Sequence, residues 1–219
     1  KGAAVNNREI ELNQGLHHGL AKRAAGESIV LLKNKDNQLP LKPSSQIAVV
    51  GAFAKNASYQ SKGSSQLVAT TLDNAFDCIS SKLDEQGSIM FAQGYESDMT
   101  ELNQKLLEEA CEMAALSDVV VLFVGLRARY ESKCIDHERL DIPRQQELLI
   151  NAICKENPNL VVVLSNGASI RMPWVAAPRA ILEGYLLGQA GGIALADILF
   201  GKTNPSGKLA ESFALEQQD

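Results

Sequence analysis

Short, unbroken apolar runs alternate along this chain with longer segments whose apolar positions recur every three to four residues. Runs of the first kind predict strands buried on both faces, and segments of the second predict amphipathic helices. Residues 16–27, LHHGLAKRAAGE, have helical spacing and lead into SIVLLKN, an extended segment closed by the polar turn Lys35, Asp36 and Asn37. After the turn from Pro40 to Ser45, QIAVVGAFA is predicted as a strand with Gly51 just past its apolar core. LDNAFDCISSKL is an amphipathic helix, SIMFAQG a strand, and TELNQKLLEEACEMAALSD a long helix with Thr100 as its N-cap. VVVLFVG, ending at Gly125, is β-branched and apolar, which suits a buried strand. Beyond it Pro143 fits the first turn of a helix through RQQELLINAICKEN, and NLVVVLSNG and RAILEGYL are strands. GQAGGIALADILFG then forms a helix closing at Gly201.

Strands of this kind alternating with helices predict an α/β fold: a doubly wound, mostly parallel sheet of roughly five to six strands with helices on both faces. The loops following Gly51, Gly94, Gly125 and Asn166 are expected on one edge of that sheet. Ligands bind outside the carboxyl ends of such strands, so these loops are where chemistry is expected. The packed unit is expected to span 16–210, with polar ends at 1–15 and 211–219 that have the look of an excised domain.

Composition narrows the possibilities. A chain of 219 residues, 45% of them apolar, can bury a sizeable core. The net charge of −5, with Lys and Arg scattered, gives no basic surface for nucleic acid, and no apolar run reaches the length that crosses a bilayer. Nucleic acid and membrane are therefore not expected partners. Cys78, Cys111, Cys134 and Cys154 show no CxxC pair and no histidines at metal-ligand spacing, so no metal or cofactor is expected, and reduced thiols suit a cytoplasmic protein. Cys134 stands apart within a charged loop, where it is read as a spacer.

The glycine-rich segments lack both GxGxxG and GxxxxGK[ST], the patterns that cradle phosphates, and Gly188 to Gly192 are read as permitting a tight strand-to-helix turn. A serine-hydrolase elbow is missing as well. His17 and His18 are adjacent on the first helix, and neither is expected to have a companion. The charged loop from Leu126 to Ile142, LRARYESKCIDHERLDI, holds eight charged side chains and His137. Glycosidic cleavage needs a carboxyl acid paired with a second carboxylate, and Glu131, Asp136, Glu138 and Asp141 are the acids available here. A second polar loop, YQSKGSSQ, offers backbone N–H groups and small hydroxyls that suit either a sugar or a plain turn.

At this point a family resemblance can be read from the residues. AKRAAGESIVLLKNKDNQLPL, GAFAKNASYQSKGSSQLVAT, YESKCIDHERLDIPRQQELL and GQAGGIALADILFGKTNPSGKLAESF follow one another across nearly the whole chain. Together they resemble the C-terminal domain of glycoside hydrolase family 3 enzymes of the β-glucosidase kind. The resemblance implies an α/β sandwich that packs on an N-terminal (β/α)8 barrel carrying an aspartate nucleophile, with residues 1–15 as the linker from that barrel. It also implies a β-glycoside substrate and a retaining, exo-acting mechanism. Aligning YES with the family's YES places the general acid/base at Glu131. Tyr130 and the loop residues Lys62, Gly63, Ser64 and Ser65 become the sugar-binding wall, and Asp136 and His137 become loop-organising residues. Where the family commonly has EGFDR this chain has KCIDH, which leaves Glu131 and Asp136 in register and puts Lys133, Cys134 and His137 in place of an acid, a glycine and an arginine. Lys133 is expected to point outward, since a cation beside Glu131 would oppose the raised pKa an acid needs. The rival expectation is a noncatalytic carbohydrate-binding or structural module on the same fold.

Overall fold

The computed structural model describes residues 13–61, 63, 66–96, 101–126 and 140–214. In chain order the elements are α1 (Gln14–Ser28), β1 (Val30–Asn34), β2 (Gln46–Val50), α2 (Ala75–Ser80), β3 (Ser88–Ala92), α3 (Gln104–Ala115) and β4 (Val119–Gly125). They continue with α4 (Arg144–Glu156), β5 (Leu160–Ser165), β6 (Ala180–Glu183) and α5 (Gly191–Leu199). The expected α/β architecture is present as one six-stranded sheet in the order β1-β6-β5-β4-β2-β3. Five strands run parallel, and the SIVLLKN segment joins as β1, antiparallel to β6 at the edge.

Alternation along the central strands builds two cores. Val119, Val121 and Phe123 face one side with Ile29, Ile79 and Leu199, while Val120, Leu122 and Val124 face the other with Ala110, Leu149 and Ile153. Helices α1, α2 and α5 thus cover one face, and α3 and α4 the other. A strand buried on both sides has no polar positions to spare, which is why β4 is apolar in every residue.

Helix boundaries differ from the sequence expectation where capping decides them. The N-cap of α3 is Asn103, not Thr100: the Asn103 side chain accepts the Leu106 N–H at 3.3 Å, and the helix begins at Gln104. Asn103 also donates to Glu96 at 2.8 Å, a contact that fixes its rotamer and that local sequence does not announce. Helix α1 starts at Gln14 because Asn13 caps it, earlier than the expected start at residue 16. Asn74 caps α2, which keeps only six residues. Pro143 sits at the N-cap of α4, and its carbonyl accepts from Gln146 N–H.

Candidate active site

Strands β3 and β4 lie on opposite sides of β2, so the chain leaves β2 and β4 in opposite directions. This is the topological switch point, where the loops part and leave a crevice at the carboxyl edge. Two glycines make that edge. Gly51 has φ 108° and Gly125 φ 151°; a Cβ on either would lie 2.2 Å from Phe123 O or 2.0 Å from Ser165 O respectively. The loops that the sequence singles out as candidate site loops both leave from these corners. Gly125→Ala is expected to cost about 1–3 kcal/mol through forced separation of β4 from β5, read as a lower urea midpoint; an unchanged midpoint would show that the corner tolerates a side chain.

The loop leaving β2 is closed by a side chain that the sequence reading did not single out. Gln60 Nε2 donates to Leu67 O at 2.6 Å, and its Oε1 accepts the Leu67 N–H at 3.1 Å. The amide therefore acts like a strand partner across the turn. Tyr59 OH adds a bond to Leu67 O, and its carbonyl accepts the Gly188 N–H at 3.0 Å. Within this frame Gly63 has φ 145° and is exposed, with its carbonyl accepting the Gln66 N–H. Lys62, Ser64 and Ser65 lie outside the described residues.

Both stems of the β4 loop are described, whereas Tyr130, Glu131, Asp136 and His137, with Lys133, Cys134 and Glu138, lie outside the described residues. Asp141, one of the acids offered by sequence, is held in an ion pair. Its carboxylate is gripped by Arg171, with Nε to Oδ1 at 2.7 Å and Nη2 to Oδ2 at 3.1 Å. The two partners are 30 positions apart in sequence, so nothing local reveals the pair. Beside it, burial pushes the Glu147 carboxyl above the ordinary glutamate range, helped by the Asp141 charge and opposed by Arg171 and Arg144. At the ends of β5 and β6, the fully buried Glu183 accepts from Asn166 Nδ2 at 3.2 Å and from Tyr185 N–H at 2.8 Å. That link holds the exits of two more strands at the same edge, with Tyr185 in left-handed conformation at φ 52°.

His18 does have companions, contrary to the sequence expectation. Its Nε2 lies 2.9 Å from Asp73 Oδ2, and Gln189 Nε2 lies 3.0 Å from its Nδ1. The imidazole thereby ties α1 to the end of the β2 loop and to the turn before α5. Close packing there also explains the glycines of that turn: a Cβ on Gly192 would lie 2.7 Å from Asp73 O, and Gly188 has φ 69°.

Other chemistry is weak at this edge. Burial, with the charges of Asp73 and Asp77 behind it, pushes the Cys78 thiol up to about 11, and burial raises Cys111 and Cys154 too, so these thiols stay protonated at neutral pH. Among the described residues, no group of three or more His, Cys, Asp or Glu could hold a metal ion. The small cleft between Phe53, Ser58, Tyr185 and Leu187 has room for little more than water.

Residues 29–219 match the family described as Glycosyl hydrolase family 3 C-terminal domain. Thermostable beta-glucosidase B of Acetivibrio thermocellus is 44% identical over 98% of this chain, and an Exo-alpha-(1->6)-L-arabinopyranosidase of Bifidobacterium longum is 41% identical over 99%. The fold superposes on a GH3 beta-glucosidase from Bifidobacterium adolescentis with a TM-score of 0.89 at 41% identity, covering 97% of this chain. It also superposes on a beta-glucosidase from Listeria innocua in complex with isofagomine, with a TM-score of 0.86 at 26% identity over 98% of this chain. The chain spans 28% and 30% of the two curated relatives and 31% and 29% of the two solved chains. With residues 29–219 matched by that family and relatives of 41–44% identity along nearly its whole length, the chain belongs to the glycosyl hydrolase family 3 C-terminal domain family.

Proposed function

We propose that this domain brings the general acid/base, Glu131, to the active site of a retaining, exo-acting β-glycosidase of the β-glucosidase kind. The observation that carries the reading is the switch point. The loop holding Lys62, Gly63, Ser64 and Ser65 and the loop holding Tyr130 and Glu131 leave from the two strands that flank it, β2 and β4. Both loops therefore open on the crevice where ligands of such sheets bind. The names of the relatives support a terminal glycoside as substrate.

In this reading Glu131 protonates the leaving oxygen while a carboxylate of a preceding (β/α)8 barrel attacks the anomeric carbon. Glu131, now ionised, then takes a proton from the water that hydrolyses the glycosyl-enzyme. One side chain serves both half-reactions. Tyr130 and the 62–65 loop wall the sugar site, and Asp136 and His137 shape the loop. The expected linker from the barrel, residues 1–15, overlaps helix α1, which begins at Gln14, so the working unit of 16–210 extends back to Asn13, with 211–219 as a truncated tail. The free thiols of Cys78, Cys111 and Cys154, the cysteines among the described residues, fit a cytoplasmic setting.

Two experiments bear on the reading. In an intact enzyme carrying this domain, Glu131→Ala is expected to abolish most turnover, with partial recovery on adding azide; near-normal rates would leave the domain as a noncatalytic carbohydrate-binding or structural module. The 219-residue chain alone, purified free of host glycosidases, is expected to release no nitrophenol from an aryl β-glucoside. It lacks the nucleophile the mechanism requires, and measured turnover would mean that a second carboxylate of this chain serves instead.

A further inference from the structure

Tyr185 stands in a backbone conformation that its own side chain opposes. Its φ is 52°, in the left-handed region, where a bulky residue is an outlier. Asp36 and Asn37 also have positive φ, but their short polar side chains tolerate it. The turn around Tyr185 has no freedom to relax, because it is held on two sides. The Gly184 N–H donates to Leu164 O at 3.0 Å, and the Tyr185 N–H donates to the fully buried Glu183 at 2.8 Å. Further on, the Gly188 N–H donates to Tyr59 O at 3.0 Å, and Gln189 O accepts the Asp73 N–H at 2.9 Å. Those last two bonds stitch the turn to the loop leaving β2. Glycine would fill position 185 without strain, and strain of this kind collects at sites where the side chain is used.

The place of the turn in the sheet indicates the use. Tyr185 follows β6 at the carboxyl edge, and the strand order puts β6 two strands from β4, on the side away from β2. Neighbouring strands are about 4.8 Å apart, so the β6 exit stands about 10 Å beyond the β4 exit, roughly the length of a disaccharide. A glycoside with its terminal sugar at the β2 loop and its scissile bond at the β4 loop therefore extends its leaving group toward β6. Tyr185 is partly exposed there and borders the small cleft together with Ser58. That cleft admits little more than water, so a ligand meets Tyr185 on its exposed part. A phenol ring offers an apolar face for a sugar or aryl group to stack on, with a polar handle at its end. Burial, with the charges of Glu183 and Glu211 behind it, pushes the Tyr185 phenol up, so its hydroxyl stays protonated at neutral pH and can donate to a sugar oxygen.

We propose that Tyr185 is a specificity-determining residue that contacts the leaving-group side of a bound β-glycoside, an aryl group or a second sugar. The inference rests on the reading of this edge as a β-glycosidase site with Glu131 as its acid/base.

The test separates recognition of the leaving group from recognition of the terminal sugar, in an intact enzyme carrying this domain. Tyr185→Asn removes the ring and suits the left-handed backbone. It is expected to lower kcat/KM about tenfold on cellobiose and on nitrophenyl β-glucoside, while the inhibition constant of gluconolactone, which has no leaving group, stays within about twofold. Its Tm is expected to be no lower than that of the wild type, since the backbone strain is relieved. Tyr185→Phe keeps the ring, and is expected to retain kcat/KM on the aryl glucoside within about twofold while losing about threefold or more on cellobiose, which has hydroxyls for the phenol to meet. Equal weakening of substrates and gluconolactone, a lowered Tm with loss on every ligand, or no change in kcat/KM would overturn the proposal, because a merely structural residue acts on all ligands alike. Glu131→Ala separates the two readings. Near-normal turnover there removes the acid/base reading and this inference with it; lost turnover there, with uniform effects of Tyr185→Asn, removes only the role of Tyr185.

Discussion

Removing the Glu131 carboxyl in an intact enzyme is expected to lower kcat/KM for poor leaving groups by about 10²–10⁴-fold, the range general acid catalysis supplies. That corresponds to about 3–5 kcal/mol of transition-state stabilisation. The effect depends on the leaving group. With dinitrophenolate the first step needs no acid and proceeds, but the second has lost its base, so the glycosyl-enzyme accumulates and both kcat and KM fall. Azide needs no deprotonation and attacks that intermediate, which restores kcat and yields the glycosyl azide with retained configuration. Glu131→Gln is expected to remove the alkaline limb of the pH–rate profile, because that limb reports ionisation of the acid. Loss of activity with no azide rescue and no leaving-group dependence would instead mark Glu131 as a residue that only holds the loop.

What the sequence made legible follows from the range over which each force acts. Strand β4 could be read directly, since burial on both faces demands an apolar residue at each position from Val119 to Val124. The corners at Gly51 and Gly125 were legible because close backbone approach leaves no room for a Cβ. Glu131 emerged only from the order of motifs around it, since a charged loop by itself is usually just solvated. Contacts between distant positions were not legible. Asp141 was available as an acid until Arg171 was seen gripping it, and His18 was solitary until Asp73, 55 positions away, was seen against it. Asn103 displaced Thr100 as the α3 cap for a related reason. Both residue types can cap, and the bond to Glu96 favours one of them.

Replacing the buried carboxylate of Asp197 is expected to destabilise this domain by several kcal/mol. It lies on α5, in the otherwise apolar stretch IALADILFG, and its side chain is 3% exposed. Lys22 of α1 and Lys82, just beyond α2, both reach it, so one carboxylate holds three helices on the same face of the sheet. Asp197→Ala leaves two ammonium groups pointed at one another over an apolar helix, and breaking such a buried pair costs about 3–5 kcal/mol. Lys22 is 34% exposed and can swing toward water, which favours the lower end of that range. A loss of about 3 kcal/mol corresponds to a fall of roughly 6–12 °C in Tm for a domain of this size. The pH dependence has a definite sign. Burial pushes the Asp197 carboxyl up, but hydrogen bonds and charge from Lys22 and Lys82 outweigh it and leave the pKa below the ordinary aspartate range. A carboxyl whose pKa is depressed on folding contributes fully above its unfolded value, about 3.9, and loses that contribution as pH falls through the folded value. Urea unfolding of the wild type and Asp197→Asn should therefore show a gap that is constant from pH 7 to about pH 5 and shrinks below about pH 4. A gap that persists undiminished in acid would show that packing of the side chain, and not its charge, holds the helices together.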